Sequence, residues 1–418
     1  MKDRTKVLFV LSDTGLPVPA VLGGAIESLV TVLTVQNEKY KELDMVVISK
    51  YDNAISKIQT RHKYTKFYYY RDDSRINLLK SYGYGTYLRL RKVISSLPLI
   101  NNGYYEFVHD IIARESPDYV IAEGGRHMVF EGISKQIGKD KVVIHIHYSV
   151  DNLDTLRKYF GKSISVSNYM KRCWQGNVLH DDNSNVVLLN CLTEDNFRNR
   201  LTQFERKKLR KELGYDDDDY VILFCGRIVP EKGVLELIDA ITNMTDKHVK
   251  LLIIGSPYFG KKKHSIYASN VDARVKKNKT RIQHLPYMSS KNLYPYFQLS
   301  DLLVVPTLCV EAAGLVAIEG QCSGIPTVVS KSGGMIEYVP NNPSMIIEID
   351  GDVVQNIINT IDYVRNHPEQ VLESIKMSEN DINKYGAETY YWNFIHIIKG
   401  WYEFDNQQND ILESFVDI

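Results

Sequence analysis

Short apolar runs alternate with longer amphipathic stretches along most of this chain. In the first half, Val7–Leu11, Met45–Ser49, Tyr119–Ala122 and Val142–Ile146 are dense in apolar residues and read as strands. Ala25–Glu38 and Tyr104–Ala113 carry their apolar positions at helical spacing. The second half repeats the scheme. Val221–Cys225, Val249–Ile254, Leu302–Val305 and Thr327–Val329 read as strands, separated by helices at Val234–Ile241, Leu293–Leu299 and Leu315–Cys322. Parallel strands covered on both faces lack polar alternation, and regular interleaving with helices marks βαβ units. The pattern predicts an α/β protein with two doubly wound, Rossmann-like domains facing a central cleft. Such sheets bind ligands outside the carboxyl ends of their strands. A charged helical segment, Thr202–Asp219, lies between the halves. The boundary between an N-terminal domain (1–200) and a C-terminal domain (201–385) falls there or just before it. The run Asp216–Asp219 precedes a strand, the wrong end for a ligand, and reads as a solvated turn.

Composition narrows the picture. At 418 residues the chain has ample material for two or three cores. Its 51 basic and 51 acidic residues cancel, which gives no general case for a nucleic-acid partner. Cys173, Cys191, Cys225, Cys309 and Cys322 are scattered, with no CxxC pair. That argues for a reducing cytoplasm and against a zinc site or disulfide framework. Val7–Leu11 is too short for a signal core, and no window has the apolar length of a spanning helix. Any membrane association is therefore expected to be peripheral. The segment Arg61–Lys92 is the place for it, with nine Lys/Arg and eight aromatics against two Asp. That mixture suits an anionic membrane interface or single-stranded nucleic acid. A surface excursion with buried tyrosines is the plainer alternative.

Four segments carry candidate chemistry. In Glu311-Ala-Ala-Gly-Leu-Val-Ala-Ile-Glu319 the first carboxylate falls in a strand-to-helix loop. The second falls inside a helix expected from about Ala313 to Cys322. Backbone N–H groups near Gly314, Leu315 and Val316 lie between them at a helix N-terminus, a seat for phosphate. Gly226-Arg-Ile-Val-Pro-Glu-Lys-Gly233 follows a strand and precedes a helix. Arg227 and Lys232 thus emerge at a strand's carboxyl end, able to contact phosphate oxygens. Gly23 and Gly24 sit between the first strand and first helix, where backbone can approach a ligand closely. They do not form GxGxxG, so a dinucleotide reading is weak. In Ile144-His-Ile-His-Tyr148, alternation puts His145 and His147 on one face. His147 lies nearer the strand end and is the better site candidate. No third ligand at a fixed spacing supports a metal site.

Taken together, Gly23-Gly24, His147, Gly226-Arg-x4-Lys-Gly233, Glu311-x7-Glu319, Gly324-x-Pro326 and Gly333-Gly334-x2-Glu337 resemble the retaining GT-B glycosyltransferases of family 4. The resemblance covers most of the chain. It implies that Arg227 and Lys232 bind the donor diphosphate and that backbone at Gly314, Leu315 and Val316 also holds phosphate. It implies that Glu319 hydrogen-bonds the ribose and Glu311 the transferred sugar. Gly23 and Gly24 would close over the phosphates, and His147 would line the sugar pocket. Glu311, His147, Arg227 and Lys232 are accordingly the catalytic candidates, with no metal and no cofactor beyond the nucleotide-sugar donor as substrate. UDP is the expected base on family frequency. A glycan or lipid-linked acceptor is expected, in synthesis of a bacterial surface polysaccharide or glycoconjugate. The tail, 386–418, would cross back to the first domain. Two departures stand out: Ala313 where an aromatic is common, and Gly320 where alanine is common. A sugar-nucleotide epimerase of similar fold and a non-catalytic GT-B-like partner subunit remain as alternatives.

Overall fold

The structure, a computed structural model, describes residues 4–57, 62–71, 84, 86–87, 89–90, 102–176, 182–257, 265–339, 345–375 and 383–416. Parallel pairing organises it throughout. One sheet orders its strands β3-β2-β1-β4-β5-β6-β7 and the other β10-β9-β8-β11-β12-β13. The strands run Lys6–Leu11 (β1), Asp44–Lys50 (β2), Thr65–Tyr70 (β3), Tyr119–Glu123 (β4), Val142–Ile146 (β5), Lys162–Ser165 (β6) and Asn185–Val187 (β7). The second sheet comprises Tyr220–Cys225 (β8), Val249–Ile254 (β9), Ile282–Leu285 (β10), Leu302–Val305 (β11), Thr327–Ser330 (β12) and Ile346–Ile347 (β13). Every strand expected from the apolar runs is present. The edge strands β3, β7, β10 and β13, and β6 beside one of them, were not anticipated, because their sequences are short or mixed in polarity.

Packing divides the chain into two compact units. One comprises Met1–Val166, Met170–Leu189 and Ala387–Ile418, and the other Ser167–Tyr169 and Asn190–Gly386. In the second unit Ile222, Leu251, Ile253 and Val304 of the sheet pack with Leu237, Ile238, Ile357 and Ile361 of the flanking helices. Each such buried aliphatic side chain contributes about 1.5–3 kcal/mol. The helix Gln203–Glu212 opens with a capping box, Glu205 N–H donating to Thr202 Oγ1 at 3.2 Å and Thr202 N–H to Glu205 Oε2 at 2.8 Å. The aspartate run after it is a turn, but not wholly solvated. Asp219 is buried and accepts from the Asp216 N–H at 2.9 Å, closing the turn from inside.

In the first unit the helix Ala387–Val416 supplies part of the core. Tyr391 donates to Asn37 Oδ1 at 2.8 Å, and the Phe394 ring lies 5.7 Å from that of Phe9 in β1. The tyrosine run Tyr68–Tyr70 lies within β3. There Tyr68 donates to Glu115 at 2.6 Å and Tyr69 to the Val18 carbonyl at 3.1 Å. Those two hydroxyls are committed internally, which narrows the segment expected to meet a membrane. Residues 61, 72–83, 85, 88, 91 and 92 of it lie outside the described residues. No helix among the described residues is long and apolar enough to cross a membrane.

Candidate functional site

Each sheet reverses its strand order once, between β1 and β4 and between β8 and β11. Loops leaving the carboxyl ends at such a reversal diverge and open a crevice. In the C-terminal unit these are the Gly226–Gly233 loop and the stretch from Pro306 to Gly314. The first runs beside β9: Gly226 N–H donates to the Ile254 carbonyl at 3.0 Å and Ile228 N–H to that of Ser256 at 3.1 Å. Its one helical turn, Pro230–Lys232, is closed by Gly233 at φ 65°. A Cβ there would stand 2.0 Å from the Pro306 carbonyl oxygen, so only glycine allows the two loops to meet. Leu308 N–H adds a bond to the Glu231 carbonyl at 2.9 Å.

These ties bring Lys232 against Glu311, whose Oε1 accepts a hydrogen bond from Lys232 Nζ. The two side chains are only 23% and 20% exposed. Arg227 is on the same loop and exposed. Glu311 is itself held from the loop after β12. Its N–H donates to Ser332 Oγ at 3.2 Å, and Gly334 N–H donates to its carbonyl at 2.8 Å. Ser332 was missed by sequence reasoning; a lone serine beside a Gly-Gly pair carries no signal of its own.

Gly314 is extended, so the following helix begins at Leu315 and not near Ala313. Gly314 offers no side-chain cap, which leaves the first N–H groups, at Leu315 and Val316, without intrahelical acceptors. Glu319 follows in the same helix, largely shielded from solvent. Burial, with a smaller contribution from Glu194, pushes its carboxyl up to about 8. At Gly320 a Cβ would come within 2.4 Å of Thr327 Oγ1 and 2.5 Å of Leu303 Cδ2. A methyl group there would press on side chains of β11 and β12. A cavity of about 430 Å3 in this unit lies at the opposite, amino-terminal edge, lined by Arg200, Tyr220, Asp301 and Pro326 among others. None of the expected site residues faces it.

The N-terminal unit has its own edge. Gly23 and Gly24 adopt φ 80° and 100° and lead into the helix Ala25–Tyr40. Glu27 in its first turn pins the preceding loop, accepting from Leu16 N–H at 3.0 Å. Burial raises the Glu27 carboxyl above its usual range. His145 and His147 do share a face, with ring centroids 3.9 Å apart. Contrary to the reading from spacing, a third acidic partner stands beside them. Glu123, the last residue of β4, accepts from His145 Nδ1 at 3.1 Å and from His147 Nε2 at 2.7 Å. Burial, with the neighbouring His145 adding to it, lowers His147 to about 4. Asp13 is a further residue that sequence reasoning missed. It is 3% exposed, accepts from Asn102 Nδ2 at 3.1 Å and lies 3.4 Å from Arg126 Nε. Glu123 reaches its histidines through strand pairing, and Asp13 meets a helix-capping Asn102 far along the chain, so no short spacing announces them.

Residues 205–381 match the family model described as Glycosyl transferases group 1. Among curated proteins, the chain is 27% identical over 198 residues to the lipopolysaccharide 1,2-N-acetylglucosaminetransferase of Salmonella typhimurium, covering 47% of this chain and 52% of that protein. The chain spans about half the length of the curated relatives it matches, or less. Among solved structures, it resembles a glycosyltransferase from Rickettsia africae at a TM-score of 0.69 and 17% identity, covering 95% of this chain and 98% of that one. It also resembles Anabaena HepE, solved in complex with UDP and glucose, at a TM-score of 0.69 and 17% identity, covering 95% and 100% of the two chains. The fold is GT-B: two parallel-sheet, Rossmann-like α/β domains.

Proposed function

We propose that this protein is a retaining, metal-independent glycosyltransferase of the family 4 type. It moves a sugar from a UDP-sugar to a glycan or lipid-linked acceptor in the synthesis of a bacterial surface glycan. The observation that carries the reading is the Lys232–Glu311 pair. It joins a cation and a carboxylate at the strand-order reversal of the C-terminal unit, inside the segment that matches the glycosyl transferase family model. The lipopolysaccharide transferase among its relatives supports a surface-glycan acceptor. The protein acts at the inner face of the membrane, with Arg61–Lys92 as its contact.

The chemistry follows from charge. As the bond between the sugar's anomeric carbon and the phosphate oxygen breaks, the electron pair goes to that oxygen and positive charge builds on the sugar. Arg227 and Lys232 neutralise the departing diphosphate, and the N–H groups at Gly314, Leu315 and Val316 hold its oxygens. Glu311 orients hydroxyls of the transferred sugar, and Glu319 the ribose. Gly23 and Gly24 approach the phosphates, and His147 lines the sugar pocket. The acceptor hydroxyl bonds to the anomeric carbon on the face the phosphate leaves, and its proton passes to a phosphate oxygen. Neither glutamate serves as a nucleophile.

Incubation with a panel of nucleotide sugars and lipid-linked or glycan acceptors, with and without EDTA, tests this. A glycosylated product of unchanged anomeric configuration, formed equally with EDTA, is expected. An epimerised donor with no acceptor product would overturn the reading.

A further inference from the structure

The mechanism leaves Glu123 unused, although it is a carboxylate at the end of a central strand with a side chain 1% exposed. β4 and β5 pair in parallel with Ala122 opposite Ile144, so the next residue of each strand, Glu123 and His145, are neighbours. Alternation then carries His147 to the same face. Both oxygens of Glu123 are occupied, one by each ring. The side chains of His145 and His147 are 1% and 5% exposed.

An ionised carboxylate has no hydrogen to give, so each ring nitrogen facing it must carry one. We propose that Glu123 is a positioning residue that holds His147 as a neutral ring with its hydrogen on Nε2, leaving Nδ1 as a pure acceptor for a sugar hydroxyl. This rests on the proposed transferase reading for the identity of the ligand, but not for the state of the ring. His145 is fixed in the opposite sense, with hydrogen on Nδ1 and a bare Nε2 that is buried and has no hydrogen-bond partner. His147 then carries no positive charge to place against a diphosphate and no proton to pass. Its role is recognition of a neutral hydroxyl, while the cations of the C-terminal unit serve the phosphates. The energetics agree. Burial works against an ionised Glu123, yet the two imidazoles bring it down to about 2, so the carboxylate stays ionised and can only accept. The neighbouring titratable groups are His127, lowered to about 4 by burial, and Glu27, raised by burial.

Long-range proton–nitrogen correlation spectra of histidine-labelled protein read the tautomers directly, without any turnover. His147→Gln and His145→Gln assign the signals. The expected result is hydrogen on Nδ1 of His145 and a neutral His147 protonated at Nε2, the latter unchanged from pH 8 to pH 5.5. A carboxamide offers one donor and one acceptor, so in Glu123→Gln one ring must switch tautomer or lose its bond. That variant is expected to bind UDP as the wild type does. With the sugar donor it should lose about 10- to 100-fold in kcat/KM, the usual cost of removing such a support. Glu123→Asp, which keeps the charge, should recover part of the loss. A doubly protonated His147 at pH 7, or hydrogen on its Nδ1, would overturn the proposal. So would tautomers and kcat/KM both unchanged in Glu123→Gln, or zinc titration that displaces both ring protons. If wild-type protein formed no glycoside but the tautomers were as stated, the transferase reading alone would fall.

Discussion

Lys232 and Glu311 are 79 positions apart in the chain and hydrogen-bonded to each other in the folded C-terminal unit. The two side chains neutralise one another. On the proposed reading a diphosphate would draw on Lys232 and a sugar hydroxyl on Glu311. Removing a fixed cation from beside a developing oxyanion costs about 3–4 kcal/mol, or roughly 10²–10³ in kcat. Lys232→Ala and Arg227→Ala should each show a loss of that order in steady-state transfer rates, with the fold intact by circular dichroism. Near-normal rates in either variant would remove that residue from the site.

The shielded Glu319 carboxyl makes stability depend on pH. Its folded pKa of about 8 lies above the ordinary value of 4.5. The folded state therefore holds a proton that the unfolded chain releases. The stabilisation is complete below about pH 4.5 and is lost as the pH rises towards 8. Urea melts from pH 6 to 9 should show the wild type losing stability relative to Glu319→Gln, by up to about 1.4 kcal/mol per pH unit, then running parallel above pH 8. Parallel curves throughout would mean that the carboxyl is ordinary.

Gly320 tests how closely its helix packs on the sheet. An added Cβ would lie 2.4 Å from Thr327 Oγ1 and 2.5 Å from Leu303 Cδ2, so one of those side chains or the helix must shift. Overpacking of this kind costs about 1–3 kcal/mol. Gly320→Ala should be destabilised by that much in denaturant melts. Adding Leu303→Val should recover part of it, since one of the two obstructing atoms is gone.

The parts of the molecule legible in the sequence were those that repeat locally. The central strands β1, β2, β4, β5, β8, β9, β11 and β12 are dense in apolar residues because both faces are covered, and their positions follow from that alone. Edge strands such as β3, with Thr65-Lys66-Phe67-Tyr68, mix polar and apolar residues because one side meets solvent or a helix, and their pattern is ambiguous. The site divides the same way. Arg227, Lys232, Glu311 and Glu319 stand at fixed spacings around loop glycines. Glu123, Asp13 and Ser332 act through neighbours brought by the sheet, and a spacing of 22 or 24 residues from Glu123 to its histidines is indistinguishable from chance.

The proposed membrane contact through the basic segment would be electrostatic. Co-sedimentation with vesicles should then require anionic lipid and weaken as salt rises from about 0.05 to 0.5 M, because screening shortens the reach of each charge. Neutralising Arg89, Arg91 and Lys92 together should reduce it. Binding to neutral vesicles, or binding indifferent to salt, would remove this segment from consideration.

The C-terminal helix should be indispensable to the N-terminal unit, because it packs against the sheet itself. Tyr390, Tyr391, Phe394, Ile395 and Ile398 are each at most 1% exposed. Phe394 meets Phe9 of the central strand β1, and Tyr391 reaches Asn37, whose amide also bonds the Leu43 carbonyl at 2.9 Å ahead of β2. Phe394→Ala would leave a cavity against β1, at a cost of about 3–5 kcal/mol. Tyr391→Phe removes only a hydroxyl. It would leave Asn37 Oδ1 its bond from the Leu43 N–H at 3.1 Å, so about 1 kcal/mol is expected. Calorimetry of the full chain should show the transition that involves the N-terminal unit moving down strongly in the first variant and slightly in the second. Equal, small shifts in both would mean that the helix rests on the unit without completing its core.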